Sequence, residues 1–291
     1  MNLPLRIKAA KAQGERIALR LGAAPPFDPV RIAEDEGIMV QAKPAEVEGV
    51  SGMLVRHGNS FGILYATHIA SPGFQRFSIS HELGHYFLPG HPQQVFTSGV
   101  HVSRAGSFVQ DPVEQEADGF AAGFLMPASS FRSDLRRLDN GLDAILALSE
   151  RYVASLSATA VRVSELATDP VAIVLSRDGV VEYCAMTEAM KPHARRGWPR
   201  RGQSLPGATA TDRLCTDRDF VRSGGRDEAQ IDLCRWFDGE SRVDAREEVM
   251  GLGAFGRVLT ILTCRARQED EESDEETDDE VIERWTPRFR R

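Results

Sequence analysis

The segment His81-Glu82-Leu83-Gly84-His85 constrains the fold of this chain more than any other stretch. Residues four apart are neighbours on a helix surface, so in a helix His81 and His85 can direct ring nitrogens at one point. Glu82 is turned by about 100° around the helix axis and can face a water molecule held at that point. The pattern is typical of a catalytic zinc site, where a carboxylate takes a proton from metal-bound water. The competing interpretation is a helix with two ordinary, half-buried histidines.

A catalytic zinc site needs a third protein ligand, and the segment 111–127 offers one. The segment has the residues typical of helix ends, namely an N-cap acid and flanking prolines (Asp111, Pro112 and Pro127). We predict Glu114 as the third ligand, with Glu116 as the alternative about 200° further round the helix. Asp118, one turn after Glu114, is predicted to accept the second N–H of a ligating histidine. The alternative for Asp118 is a solvated helical acid.

A small sheet is expected before the histidine helix. Residues 38–40, 49–56 and 61–65 are predicted strands, with a turn at 57–60 between the last two. One of these strands could hold an extended peptide by main-chain hydrogen bonds, unless it is an ordinary covered edge. Gly84 costs its helix about 1 kcal/mol relative to Ala, which predicts a compensating close approach by another backbone.

The span 91–110 is predicted to be a loop that borders the cleft. It contains His91 and His101, either of which could stabilise charge during a reaction. Tyr86, next to a predicted ligand, is a third candidate. For all three a structural or surface role is the favoured interpretation, because nothing in the sequence fixes their geometry.

The two helical motifs together resemble the ImmA/IrrE family of metallopeptidases. The similarity covers about residues 5–165, and its specific parts are the segments 76–91 (RFSISHELGHYFLPGH) and 114–127 (EQEADGFAAGFLMP). Shorter stretches upstream, at 27–34 and 50–55, extend it.

The resemblance implies an α+β, zincin-like (gluzincin-like) peptidase domain that binds Zn2+, with Mn2+ as an alternative ion. It implies His81, His85 and Glu114 as metal ligands and Glu82 as the general base. Members of the family typically cleave a helix-turn-helix transcriptional repressor and so activate phage, mobile-element or stress-response genes. We expect the same class of protein substrate for this chain.

Length and charge suggest several units. We predict a peptidase domain at 1–128, a helical extension at 129–168, a C-terminal sensor or interaction domain at 169–267, and an acidic, disordered tail at 268–291. The tail holds 11 acidic and 4 basic residues, so most of the net charge of −8 lies there.

We expect a cytoplasmic protein without a membrane partner, since no apolar run approaches about 20 residues and no signal-peptide core is present. The four cysteines form no close pair and are expected to be free thiols.

The helical extension gives a second functional hypothesis. Residues 146–166 resemble a helix-turn-helix, with Val153 in the turn and Ser155 or Ser157 as the cap of the second helix. A DNA-binding regulator would read the major groove with Thr159 and Arg162. One arginine and no lysine would make few phosphate contacts, so a structural helical hairpin is favoured.

The segment after residue 170 alternates apolar runs with turn signals and predicts an antiparallel sheet with intervening helices. Such a mixed α/β domain is compatible with a GAF-like or PAS-like sensor of a small-molecule signal, and some members of the ImmA/IrrE family carry a GAF-like module there. The basic loop 191–201 could bind an anionic molecule, nucleic acid or the acidic tail, and a solvated loop is favoured.

Overall fold

The computed structural model describes residues 2–22, 24–42, 50–95, 100–103, 111–194, 197–237, 242–253 and 256–265. The predicted tail at 268–291 lies outside the described residues, as do positions 195 and 196 of the basic loop. Within the described part, no helix combines the length and the hydrophobicity needed to cross a membrane.

The first half of the chain is a helical layer on a four-stranded sheet. Its elements are α1 (Leu3–Leu19), α2 (Pro29–Asp35), β1 (Met39–Ala42), β2 (Gly52–His57), β3 (Ser60–Tyr65), α3 (Pro72–Phe87), α4 (His91–Val95), β4 (Val100–Ser103) and α5 (Pro112–Leu125). The strand order is β1-β3-β2-β4, with β1 and β3 parallel and the other pairs antiparallel. Two of the three predicted strands, β2 and β3, are therefore interior and offer no free edge to a peptide.

The prediction of a continuous loop at 91–110 is wrong in two places. Residues 91–95 form α4, and residues 100–103 form β4, which pairs with β2 and is an edge strand of the sheet. A four-residue strand has too short an apolar pattern to be recognised from the sequence, because the long-range pairing with β2 supplies its hydrogen bonds.

Three further helices follow directly: α6 (Ala128–Leu135), α7 (Leu142–Tyr152) and α8 (Leu156–Leu166). The predicted turn between α7 and α8 is confirmed, because Val153 adopts a left-handed conformation with φ of 48° and Ser155 caps α8. The hypothesis that Thr159 and Arg162 read DNA is wrong, however. Thr159 is fully buried, and Arg162 is 3% exposed and bonds to the main-chain oxygen of Met126, so neither side chain can reach a groove of DNA.

The second half of the chain is an antiparallel sheet with helices. Its elements are β5 (Val171–Arg177), β6 (Val180–Met186), α9 (Ala210–Thr216), α10 (Arg218–Arg222), β7 (Arg226–Asp232), β8 (Asp244–Gly251) and β9 (Arg257–Cys264). The strand order is β6-β5-β9-β8-β7. The structure is thus mixed α and β, as expected, whereas a GAF-like or PAS-like identity and its small-molecule signal stay predictions.

The hydrophobic core joins the two halves. One buried cluster runs from α1 through α8 and includes Val171 and Ile173 of β5, while Ala172 and Val174 of the same strand belong to a second cluster on the opposite face. Because β5 is buried on both faces, its sequence is a continuous apolar run instead of an alternating one. All four cysteines are free thiols.

Candidate metal centre

Helix α3 carries the two motif histidines toward the interior. Ser71 caps its first turn and Pro72 occupies the first helical position, so the helix begins where backbone donors need a side-chain acceptor. His81 is 6% exposed and His85 is fully buried. Their Nε2 atoms lie 3.0 Å apart, as the four-residue spacing on one helix face predicts.

Helix α5 supplies a carboxylate to the same point. Asp111 caps this helix and Pro112 begins it, as predicted. Glu114 in its first turn places Oε2 3.3 Å from Nε2 of His81 and Oε1 3.4 Å from Nε2 of His85. The structure therefore brings together the three residues that the sequence proposed as ligands.

Close packing of α3 on α5 makes this convergence possible. A Cβ atom at Gly84 would lie 3.1 Å from Cα of Ala117 and 3.2 Å from its carbonyl oxygen. The predicted close approach of another backbone at Gly84 is thus confirmed, and the approaching backbone is that of α5. Any larger residue at position 84 would push the carboxylate helix away from the histidine helix.

Neighbouring side chains determine which histidine nitrogens carry protons. Asp118 Oδ1 lies 2.8 Å from Nδ1 of His81 and accepts that N–H, in the contact predicted for it. His85 Nδ1 lies 3.2 Å from Nδ1 of His91, whose Nε2 lies 3.4 Å from Glu116. If His91 donates to Glu116, its Nδ1 accepts from His85. Neutral His81 and His85 then both present an Nε2 lone pair to the centre of the cluster.

Glu116, the alternative third ligand, lies outside the cluster. It forms an ion pair with Arg6 of α1 and contacts His91. The alternative assignment is wrong because the helical rotation between Glu114 and Glu116 directs the two carboxylates to different neighbours.

A fourth donor comes from β4. His101 Nε2 lies 3.2 Å from Oε1 of Glu114, and one ligand atom from each of His81, His85, His101 and Glu114 falls within 4.8 Å of the others. Four donors bound tetrahedrally at about 2.0–2.1 Å from a zinc ion would be roughly 3.3–3.5 Å apart. The separations of 3.2–3.4 Å between Glu114 and the three histidines are close to this spacing, and the chemistry of the donor set suits a zinc-like ion.

The electrostatics of the cluster also suit a cation. Burial works against an ionised Glu114, yet hydrogen bonds from three histidines hold its pKa well below the ordinary value. For His81, hydrogen bonds to Asp118 and Glu114 outweigh burial and raise its pKa to about 10. For His85, burial outweighs the bond to Glu114 and lowers its pKa to about 3. Protons and a metal ion would therefore compete for the same nitrogens.

Comparison with known proteins supports the interpretation of this cluster as a metal site of a peptidase-like domain. Residues 33–164 match the family model of a peptidase domain described as IrrE N-terminal-like. These residues form an IrrE N-terminal-like domain. The predicted ImmA/IrrE relationship is thereby confirmed, and the family together with the His/Glu cluster indicates a metallopeptidase.

A solved structure shares the fold over most of the chain. It is a Mycobacterium tuberculosis transcriptional regulator with a TM-score of 0.56 and 18% sequence identity, and the match covers 88% of this chain and 76% of that one. At this identity the likeness concerns the fold alone. A comparison with curated proteins gives no match.

Glu82 of the IrrE-like domain is fully buried beside the cluster. Neither carboxylate oxygen makes a well-formed hydrogen bond in the described part of the chain. A Cβ atom at Gly52 of β2 would lie only 2.5 Å from its Oε1, so the absence of a side chain there makes room for the carboxylate. Burial raises the pKa of Glu82 above its ordinary value, against the opposing influence of His81 and Ser103.

The other candidates in the IrrE-like domain have different positions. Tyr86 packs against Phe61 and Phe87 with ring centroids 5.1 and 5.0 Å away, in a packing role. His91 is buried behind His85. For His101 the favoured structural or surface interpretation is wrong, since its side chain lies in the donor cluster. No local sequence signal identifies this position, because the pairing of β4 with β2 brings His101 to the cluster.

Proposed function

We propose that this chain is a zinc-dependent endopeptidase in which His81, His85 and Glu114 hold the metal and Glu82 is the general base. The observation that carries the proposal is the convergence of donors from α3 and α5 beside the fully buried carboxylate of Glu82, which makes no well-formed hydrogen bond among the described residues. A bound Zn2+ would polarise the peptide carbonyl and acidify the attacking water, and Mn2+ could supply similar chemistry.

The side chains of the protein then have separate tasks. Glu82 accepts the proton of the attacking water and later delivers it to the leaving amine. Asp118 holds His81 in one orientation through its Nδ1–H, and His91 does the same for His85. The low exposure of the four clustered side chains limits competing water around the reacting atoms.

We infer a helix-turn-helix transcriptional repressor as the substrate, with derepression of phage, mobile-element or stress-response genes as the outcome. Support comes from the ImmA/IrrE relationship, whose members typically cleave such repressors. The burial of Thr159 and Arg162 also supports a peptidase over a regulator that reads DNA with these residues.

The test is cleavage of candidate repressors from neighbouring genes by the purified full chain, with fragments measured by mass spectrometry. We expect zinc-dependent cleavage that a chelator abolishes and that Glu82→Gln lowers by at least about 100-fold without loss of bound metal. Glu188→Gln is the matched control, because the Glu188 side chain is 88% exposed and bonds only to Lys191 among the described contacts. Full activity of Glu82→Gln would exclude the assigned base.

A further inference from the structure

His101 adds a fourth possible donor to the three proposed ligands, one more than a catalytic zinc site uses. We propose that His101 is a fourth metal ligand that closes the centre in the free chain, so that each cleavage requires β4 to withdraw from it and the wild type is slower than a chain without this ligand. This inference rests on the proposed peptidase function and adds a form of regulation to it. Structural zinc sites have four protein ligands, whereas catalytic ones have three and reserve the fourth position for water or substrate.

The first support is the donor geometry. His101 Nε2 is as close to the Glu114 carboxylate, at 3.2 Å, as the Nε2 atoms of His81 and His85 are, at 3.3 and 3.4 Å. His101 therefore contacts the proposed ligand Glu114 as closely as the two motif histidines do. With all four donors engaged, a tetrahedral ion would have no position for the attacking water.

The second support is independent of the metal and concerns the base. Glu82 is fully buried, with Gly52 of β2 against its carboxylate. Ser103 of β4 is the register partner of Gly52 and contacts His101 Nε2 with its hydroxyl at 3.2 Å. A base with no solvent access cannot reach a water molecule or a leaving amine. Withdrawal of β4 would uncover Glu82 and free the metal position in one movement.

The third support is the weak attachment of β4. The strand has four residues and, among the residues that the structure describes, pairs with β2 alone at the edge of the sheet. Val100 and Val102 of this strand are 37% and 41% exposed, so neither valine is anchored in the hydrophobic core. Short edge strands held on one side are among the segments that open most easily.

The alternative role for His101 is catalytic: its imidazole could stabilise charge on the substrate while water holds the fourth position. The two roles predict opposite results when the imidazole is removed. A ligand that closes the site represses activity, and a catalytic imidazole supports it.

The experiment uses the full chain loaded with Co2+ in place of zinc, because the visible spectrum of Co2+ reports its coordination. For the wild type we expect a four-coordinate spectrum that azide does not change. For His101→Ala we expect retained Co2+, a spectrum that azide shifts, and recovery of the wild-type spectrum on addition of imidazole. His57→Ala, at an exposed position at the end of β2, should behave as the wild type.

Peptide hydrolysis supplies a second measurement. Without the His101–metal bond, β4 is held to the site by its pairing with β2 and withdraws more easily. We therefore expect zinc-loaded His101→Ala to cleave an unstructured peptide that spans the repressor cut site at least tenfold faster than the wild type.

An azide-induced change in the wild type would overturn the inference, even if the variant failed to fold. Loss of cleavage by His101→Ala with an intact Co2+ site would also overturn it and would assign the catalytic role. Both results leave the proposed peptidase function standing. That function fails instead if the wild type binds neither Co2+ nor Zn2+.

Discussion

Replacing Gly52 by alanine tests the position of the proposed base without touching a metal ligand. The added Cβ would lie 2.5 Å from Oε1 of Glu82 and 3.2 Å from Cδ. An ordinary van der Waals contact begins at 3.4 Å, so the carboxylate oxygen must retreat by the difference of about 0.9 Å. Because Glu82 is fully buried, this shift also displaces its packed neighbours.

The magnitude follows from the sensitivity of proton transfer to position. A misplacement of about 1 Å in a catalytic group lowers the rate by roughly 100-fold, which corresponds to about 2.7 kcal/mol in the activation free energy. The metal should be retained, because Gly52 is not a proposed ligand and Glu82 makes no well-formed hydrogen bond to one among the described residues. The expected result is thus a loss in kcat with the metal retained.

Gly62→Ala is the matched control. Gly62 also lies in a strand of the same sheet, and a Cβ there would be 3.7 Å from the carbonyl oxygen of Met39, an ordinary contact. The assay measures kcat for repressor cleavage by both zinc-loaded variants, bound zinc, and the urea midpoint. Gly62→Ala should keep the wild-type rate. Equal rates for Gly52→Ala and Gly62→Ala would refute the placement of Glu82 as the base against β2.

Two further predictions concern the support of the site. Asp118→Asn should lower zinc affinity by about 10- to 100-fold in a competition titration, because the amide no longer favours one orientation of His81, whereas Asp143→Asn at a 94% exposed position should have no effect. Gly14→Ala should destabilise the chain by about 1–3 kcal/mol in urea unfolding, since its Cβ would meet a main-chain oxygen of α5 at 2.1 Å, and Gly207→Ala, with open space around it, is the control. Unchanged zinc affinity in Asp118→Asn, or a stabilised Gly14→Ala, would contradict these expectations.

The parts of the site that the sequence predicted are those specified by local chemistry. An acid and a proline define the first turn of α5, and a serine and a proline define that of α3. Once both helices are located, the four-residue repeat of His81 and His85 and the turn that separates Glu114 from Asp118 follow from helix geometry. Gly84 indicated a close approach by another backbone, which is that of α5.

The parts that the sequence did not predict depend on contacts between distant segments. β4 is a strand because it pairs with β2, about 48 residues earlier in the chain, and its own four residues carry no sufficient pattern. β7 (Arg226–Asp232) carries no apolar run that would indicate a strand, because most of its side chains are charged or polar, as suits an edge strand. His101 could not be assigned without this sheet register.

Helix-turn-helix geometry shows the same division between local and tertiary information. The turn at Val153 and the cap at Ser155 are local features, and both are present as predicted. Whether the second helix faces solvent depends on packing, and Arg162 instead bonds to Glu15 of α1 and to Glu165. The ion pair between Arg162 and Glu15 holds α8 against α1. The Arg162 side chain is therefore not free to contact DNA.

Helix α1 lies outside the matched segment 33–164 but supports the metal site physically. Gly14 of α1 and Gly123 of α5 allow the two backbones to approach so closely that a Cβ at either position would lie 2.1 Å from a carbonyl oxygen of the other helix. Arg6 of α1 neutralises Glu116, which contacts the histidine behind His85. The position of the carboxylate helix and the orientation of one proposed ligand therefore both depend on α1. The structural unit that holds the metal site accordingly includes α1 in addition to the matched segment.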